Sequence, residues 1–144
     1  MSNHDIENSF PKLQDGGYKI TSPETVEYNC IAWAAGDTEA WWWPDRLDIG
    51  YWPVGVPRAE TVEAFIEAFT ALGFILCDAA EHEEGFEKVA IYVDVTGKPT
   101  HAARQLSSGL WTSKLGKLED IEHDIDGVSG DRYGTVAVIM KRSK

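Results

Sequence analysis

Cys30 stands in the run Tyr28-Asn29-Cys30-Ile31-Ala32-Trp33-Ala34-Ala35-Gly36, where a short apolar helix is expected to begin. Asn29 is a good N-cap, its side-chain oxygen able to accept a hydrogen bond from a free amide of the first turn, and Gly36 is a good stop. A cysteine in that first turn meets unpaired backbone N–H groups and the positive end of the helix dipole. Both favour thiolate, the attacking form of the side chain. The chemistry this implies is nucleophilic attack on a carbonyl. The alternative is packing alone, because free cysteine is among the most buried residue types.

A thiol nucleophile needs a base, and the base needs an orienting group. His101 is the best-placed imidazole, just past the turn Thr96-Gly97-Lys98 at the start of a strand, where a sheet edge holds a side chain rigidly. His4 falls in a polar N-terminal segment, and His82 lies among Glu81, Glu83 and Glu84 in an acidic loop. His123 falls in a short helix, as an orienting partner or a core residue. If Ser107-Ser108-Gly109 is a hairpin loop, His101 lies across from Ser113, Lys114 and Leu115. One residue of register then decides whether Ser113 or Lys114 shares its face. The candidate catalytic set is therefore Cys30, His101, Ser113 and Lys114, with the third member left open among Ser113, Lys114 and His123. A metal site built from Cys30, His101 and His123 is the weaker reading, because the chain has no Cys-x-x-Cys or His-x-x-x-His spacing; neither metal nor cofactor is expected.

Five of the six tryptophans lie between Trp33 and Trp52, with the run Trp41-Trp42-Trp43-Pro44 at the centre. Aromatic surface of this kind can wall a cleft or stack on sugar rings and cationic side chains, which makes Trp33, Trp42, Trp43 and Trp111 candidate substrate-binding residues. Large aromatics also pin long loops to a core, and that use competes with the first.

The elements that must position these residues read as helices first and strands after. Residues 1–20 form an irregular arm with at most a turn near Ile6 to Phe10, broken by Pro11 and Gly16-Gly17. Thr21-Ser22-Pro23-Glu24 has helix-start chemistry, opening either a separate turn or one longer helix that includes Cys30. Residues 57–72 carry Val62, Phe65, Ile66, Phe69 and Leu72 at helical spacing and predict a core helix. Strands are expected over residues 74–77, 88–94, 100–106, 110–114 and 133–140, and a short helix over 118–125 with Leu118, Ile121 and Ile125 on one face. Cys77 reads as core filler in the first of those strands. The expected class is α+β, N-terminal helices packed on a C-terminal antiparallel sheet, in a single domain over residues 1–144.

A cysteine opening a helix, followed by a sheet that carries a histidine and then a polar residue on the next strand, resembles the papain-like fold, including its NlpC/P60-type relatives. The motifs Tyr28-Asn29-Cys30-Ile31-Ala32-Trp33-Ala34, Thr100-His101-Ala102-Ala103-Arg104, residues 109–116 and Ile121-Glu122-His123 are also similar to a family of bacterial proteins with no assigned substrate. The resemblance implies Cys30 as nucleophile, His101 as base and then acid, and acyl transfer at an amide or thioester. Its departures are the third residue, where Ser113 or Lys114 replaces the usual Asn, Asp, Gln or His, and the oxyanion-hole glutamine, for which Gln14 has no marking context.

A net charge of −11 argues against nucleic acid and anionic membrane as partners and favours a neutral or basic one. No apolar run is long enough to cross a bilayer and the N-terminus lacks a signal-peptide pattern, so a cytoplasmic protein with two free thiols is expected. The function expected is a thiol-dependent hydrolase or acyltransferase acting on a peptide or small-molecule acyl substrate. Protease, amidase, deamidase and transferase share these steps. The alternatives are a non-catalytic binding module using residues 41–52 and an acidic protein that neutralises a basic partner.

Overall fold

The computed structural model describes residues 3–45, 47, 49–115 and 119–144. In chain order its elements are α1 (Asn3–Ser9), α2 (Lys12–Gly16), β1 (Tyr18–Ser22), α3 (Cys30–Ala35), α4 (Val62–Thr70), β2 (Ile75–Cys77), β3 (Phe86–Val93), β4 (Pro99–Gln105), β5 (Trp111–Lys114), β6 (Asp120–His123) and β7 (Thr135–Ser143). All seven strands join one antiparallel sheet in the order β1-β6-β5-β4-β3-β7-β2.

This corrects the expected α+β class and its papain-like arrangement of a helical half on a sheet. The chain is mainly β. Its four described helices span only five to nine residues, and the sheet recruits both ends of the sequence. The N-terminal arm contributes β1, which pairs Tyr18 with His123 and Ile20 with Ile121. The segment read as a helix near residues 118–125 is instead β6, a strand between β1 and β5; Leu118 lies outside the described residues. Its apolar spacing fits one helical face, but two neighbouring strands offer every backbone group of Asp120–His123 a partner, and that overrides periodicity.

β3 lies inside the sheet between β4 and β7. Its residues alternate between two cores: Val89 and Ile91 face α3 and α4, whereas Ala90 and Tyr92 face the opposite side. Both faces are covered, so the strand reads in sequence as an unbroken apolar run. The second core is closed by Ile6, Phe10 and Leu13 from α1, α2 and the turn between them, which gives the supposed arm a structural role.

α4 is shorter than the apolar pattern suggested. Thr61 caps it, its hydroxyl accepting from the Ala64 amide at 3.2 Å, and the Pro57 carbonyl is held outside the helix by the Trp52 indole N–H at 2.9 Å. Phe65 on its buried face receives Trp43 edge-on and Trp52 at a tilt. β2 is an edge strand whose Ile75 and Leu76 are exposed, and Cys77 beside them is only half-buried, not core filler. Among the described residues no helix is long and apolar enough to cross a membrane.

Candidate active site

Asn29 caps α3 as its residue type suggests, its Oδ1 accepting from the Ala32 amide at 3.1 Å. The same side chain accepts from the Trp42 amide at 3.0 Å and donates to the Trp42 carbonyl at 2.7 Å. One residue thus ends the coil before α3 and anchors the tryptophan-rich loop to it.

Cys30 follows at the start of α3, which lies against β4 and β5. Small residues on both sides, Ala32 and Ala34 on the helix and Ala102 on β4, are fully buried and leave room for close contact. The backbone amide of Ala102 bonds the thiol, with those of Ile31 and Cys30 itself contributing, and Lys114 is close enough to favour the thiolate. Burial outweighs all of these and pushes the Cys30 thiol up to about 11. The helix-start amides are therefore present as expected, yet the resting side chain is a thiol. Because the folded thiol ionises near 11 and the unfolded one near 9, the protein is expected to lose stability as pH rises through that window. The loss is about 2–3 kcal/mol, read as a fall in the urea midpoint between pH 9 and 11 that is blunted in Cys30→Ala.

His101 is fully buried on β4 and belongs to the other face of the sheet. Ala102 points to the α3 core, while His101 shares its side with Ala103 and with its cross-strand neighbour Tyr92. Its Nε2 lies 2.9 Å from Ser113 Oγ, which lies 2.6 Å from His123 Nε2. His123 Nδ1 in turn bonds the carbonyl of Asp124. The polarity of this relay follows from its end. A carbonyl only accepts, so His123 carries its proton on Nδ1 and offers a lone pair at Nε2. Ser113 donates to that lone pair and accepts from His101 Nε2–H. His101 is left with an unprotonated Nδ1, which is buried and has no hydrogen-bond partner. Burial lowers both imidazoles below their ordinary range, His101 well below it with the charge of His123 adding to the effect. Tyr133 lies flat on His101, centroids 3.9 Å apart and 7° from parallel, and covers it from outside.

The two halves of the site meet at a gap in the sheet. β4 and β5 are paired at Arg104↔Thr112 and Gln105↔Trp111 and the ladder goes no further. Beyond it, the amide of Ala102 serves Cys30 from the α3 side, and the His101–Ser113 bond spans the opening from the other side. The register left open in the sequence is thereby resolved: Ser113 is on the histidine's face and Lys114 on the cysteine's. No hydrogen bond joins Cys30 to His101.

Lys114 is fully buried, donates to the Thr25 carbonyl at 2.8 Å and sits 5.3 Å from the centre of the Tyr28 ring. Tyr28 stacks on Trp33, and the Arg104 guanidinium lies 5.0 Å from the centre of the Trp33 ring. The Tyr28 hydroxyl donates to Asp120 at 2.8 Å; burial first and that carboxylate second push its pKa up to about 12.

Trp33, Trp42, Trp43 and Trp52 gather in or against the core that contains Cys30, as packing residues. Trp33 is half-buried one turn after Cys30, its N–H donating to Thr112 Oγ1 at 2.9 Å. Trp42 and Trp52 are core residues. Trp41 and Trp43 wall a cleft of about 330 Å³ with Leu47 and Ile49, and Cys30 does not line it. Trp111 faces the second core and lines a separate cleft of about 510 Å³ with Lys12, Glu81, Asp124 and Asp126. Among the described residues no three His, Cys, Asp or Glu side chains gather to hold a metal ion. Residues that sequence reasoning passed over are Tyr133, hidden in a glycine-rich turn, and Arg104, visible only as the end of the His101 motif.

A family model described as a domain of unknown function (DUF7689) matches residues 19–141, from β1 into β7. No curated protein and no solved structure matches the chain.

Proposed function

The chain belongs to the DUF7689 family, and for this domain we propose thiol-dependent acyl transfer with Cys30 as nucleophile and His101 as its base. The observation that carries this reading is the bare Nδ1 of His101. The relay through Ser113 and His123 fixes the imidazole as the tautomer that accepts a proton at Nδ1, and no described residue hydrogen-bonds that nitrogen. A buried imidazole that only packs has no need of an orienting chain three groups long.

The resting pair is neutral on both sides, a thiol raised by burial and an imidazole lowered by it. That favours general-base catalysis over a standing ion pair. As the sulfur bonds to the carbonyl carbon of an amide or thioester, its proton passes through the gap between β4 and β5 to His101 Nδ1. The amide N–H groups that bond the thiol lie where they can also stabilise the oxyanion. Collapse expels the amine or thiol, which takes the proton back from Nδ1, and water then releases the acyl group from Cys30 by the same route in reverse. Ser113 and His123 are positioning residues, and Lys114 stabilises negative charge on the sulfur side.

The test is alkylation of Cys30 by iodoacetamide across pH, read on its own peptide so that half-buried Cys77 is counted apart. Native protein is expected to label Cys30 at neutral pH, and His101→Gln to label at least about tenfold more slowly. His123→Gln, which disturbs only the tautomer, is expected to give an intermediate rate. Labelling that waits for unfolding, or is indifferent to His101, overturns the proposal.

A further inference from the structure

Several of the described cations of this acidic chain have carboxylate partners. Arg142 bonds Glu87, Lys141 bonds Glu83 at 2.8 Å, Lys98 lies 3.1 Å from Glu60, and Lys88 lies 3.5 Å from Glu83. Arg104 is different. Its guanidinium is half-buried over Trp33, no ion pair or hydrogen bond is made to it among the described residues, and its Nε is buried without a partner. The two carboxylates whose charge reaches it, Glu87 and Asp120, are committed elsewhere: Glu87 to Arg142, and Asp120 to Thr21 and Tyr28. In a chain of net charge −11, a half-buried guanidinium whose buried Nε has no partner is not explained by a shortage of acids.

Its place in the fold supplies a purpose. Arg104 lies two residues beyond Ala102 on the same face of β4, so the two positions are about 7 Å apart along the strand. Ala102 supplies the amide that bonds Cys30, and Trp33, on which Arg104 rests, is one helical turn from the cysteine. The aromatic ring supports the guanidinium by a cation–π contact and no described residue bonds its N–H groups, a disposition that suits bidentate recognition of a carboxylate. We infer that the acyl substrate of Cys30 carries a free carboxylate near the reacting carbonyl, and that Arg104, steadied by Trp33, receives it. The inference rests on the thiol reading above. It makes Arg104 the specificity-determining residue.

Two measurements separate its fate from that of the thiol chemistry. In the first, full-length protein is titrated with N-acetylglycine and, separately, with N-acetylglycinamide, following the indole N–H resonance of Trp33, assigned by its loss in Trp33→Phe. A saturable shift with the acid, at least about tenfold weaker with the amide and with Arg104→Gln, is expected. In the second, Cys30 is alkylated with bromoacetylglycine or bromoacetylglycinamide. In each, sulfur bonds to the bromomethyl carbon, bromide leaves and the thiol proton passes to His101. The acid is expected to react at least about tenfold faster in the native protein, and the ratio of the two rates to fall to about one in Arg104→Gln. No saturable shift at Trp33, or one that survives Arg104→Gln, overturns the inference even where Cys30 labels normally. A shift that depends on Arg104, with Cys30 inert to both reagents, overturns the substrate assignment through failure of the thiol chemistry and leaves a carboxylate-binding site.

Discussion

Gly134→Ala is expected to destabilise the fold by about 3–5 kcal/mol, a large part of the stability of a domain this size. Gly134 closes the turn that carries Tyr133, exchanging backbone hydrogen bonds with Gly130 at 2.9 and 2.7 Å. Its φ is +76°, a left-handed conformation that an L side chain enters at a cost. More decisively, a Cβ there would stand 1.8 Å from the Val93 carbonyl oxygen, 2.7 Å from its carbon and 3.0 Å from Asp94 Cα. These are backbone atoms at the end of β3, with no flexible side chain to yield. Gly55→Ala is the control: φ is +86° and nothing lies within 4 Å of the new Cβ, so it bears only the conformational term. Urea unfolding of both variants separates crowding from φ. Similar midpoints for the two would refute the crowding argument. A partially folded Gly134→Ala protein should also lose the Tyr133 ring from His101, and with it the protection of the relay.

Acid should unfold this protein earlier than its carboxylates alone would dictate. His101 and His123 are buried as neutral imidazoles with pKa values below the ordinary 6.5. As pH falls through 6.5 the unfolded chain takes up both protons while the folded chain refuses them, so stability present above 6.5 is lost on descent towards the folded values. Two such groups give a slope of at most about 2.7 kcal/mol per pH unit. The depressed carboxylates Asp45, Asp94 and Glu83 act in the same direction but at lower pH, in and below the ordinary carboxylate range. Urea midpoints between pH 7.5 and 5.0 measure the imidazole slope directly, and His123→Gln should reduce it to about half. A flat profile over that interval would mean that the two imidazoles are not held neutral, and the tautomer argument for His101 Nδ1 would go with it.

The same relay connects stability to the proposed chemistry. The lone pair at His101 Nδ1 is maintained only while His123 keeps its proton on Nδ1 against the Asp124 carbonyl. Gly127, close to Leu13, the Asp124 carbonyl and His123 Cβ, has no room for a side chain, so the turn after β6 is shaped around that contact.

The amino-acid sequence by itself determined what depends on near neighbours along the chain. The Asn29 cap, the Gly36 stop, the apolar face of α4 and the strands β3, β4 and β5 with their turns are all written within spans of a few residues, because caps, turns and side-chain periodicity act over that range. The choice of Cys30 and His101 as residues worth watching came from the same local reading. Only the tertiary structure decided the rest. β1 meets β6 across some hundred residues of chain, and that pairing turned a helical pattern into a strand and an α+β expectation into a mainly-β sheet. Strand alternation put His101 and Cys30 on opposite faces, so their common ground is a gap where β4 and β5 part, which no spacing records. Burial reversed the expected ionisation of the thiol, since desolvation is a property of everything packed around a group. The unpaired Arg104 became visible in the same way, once every acid near it was seen to be bonded to something else.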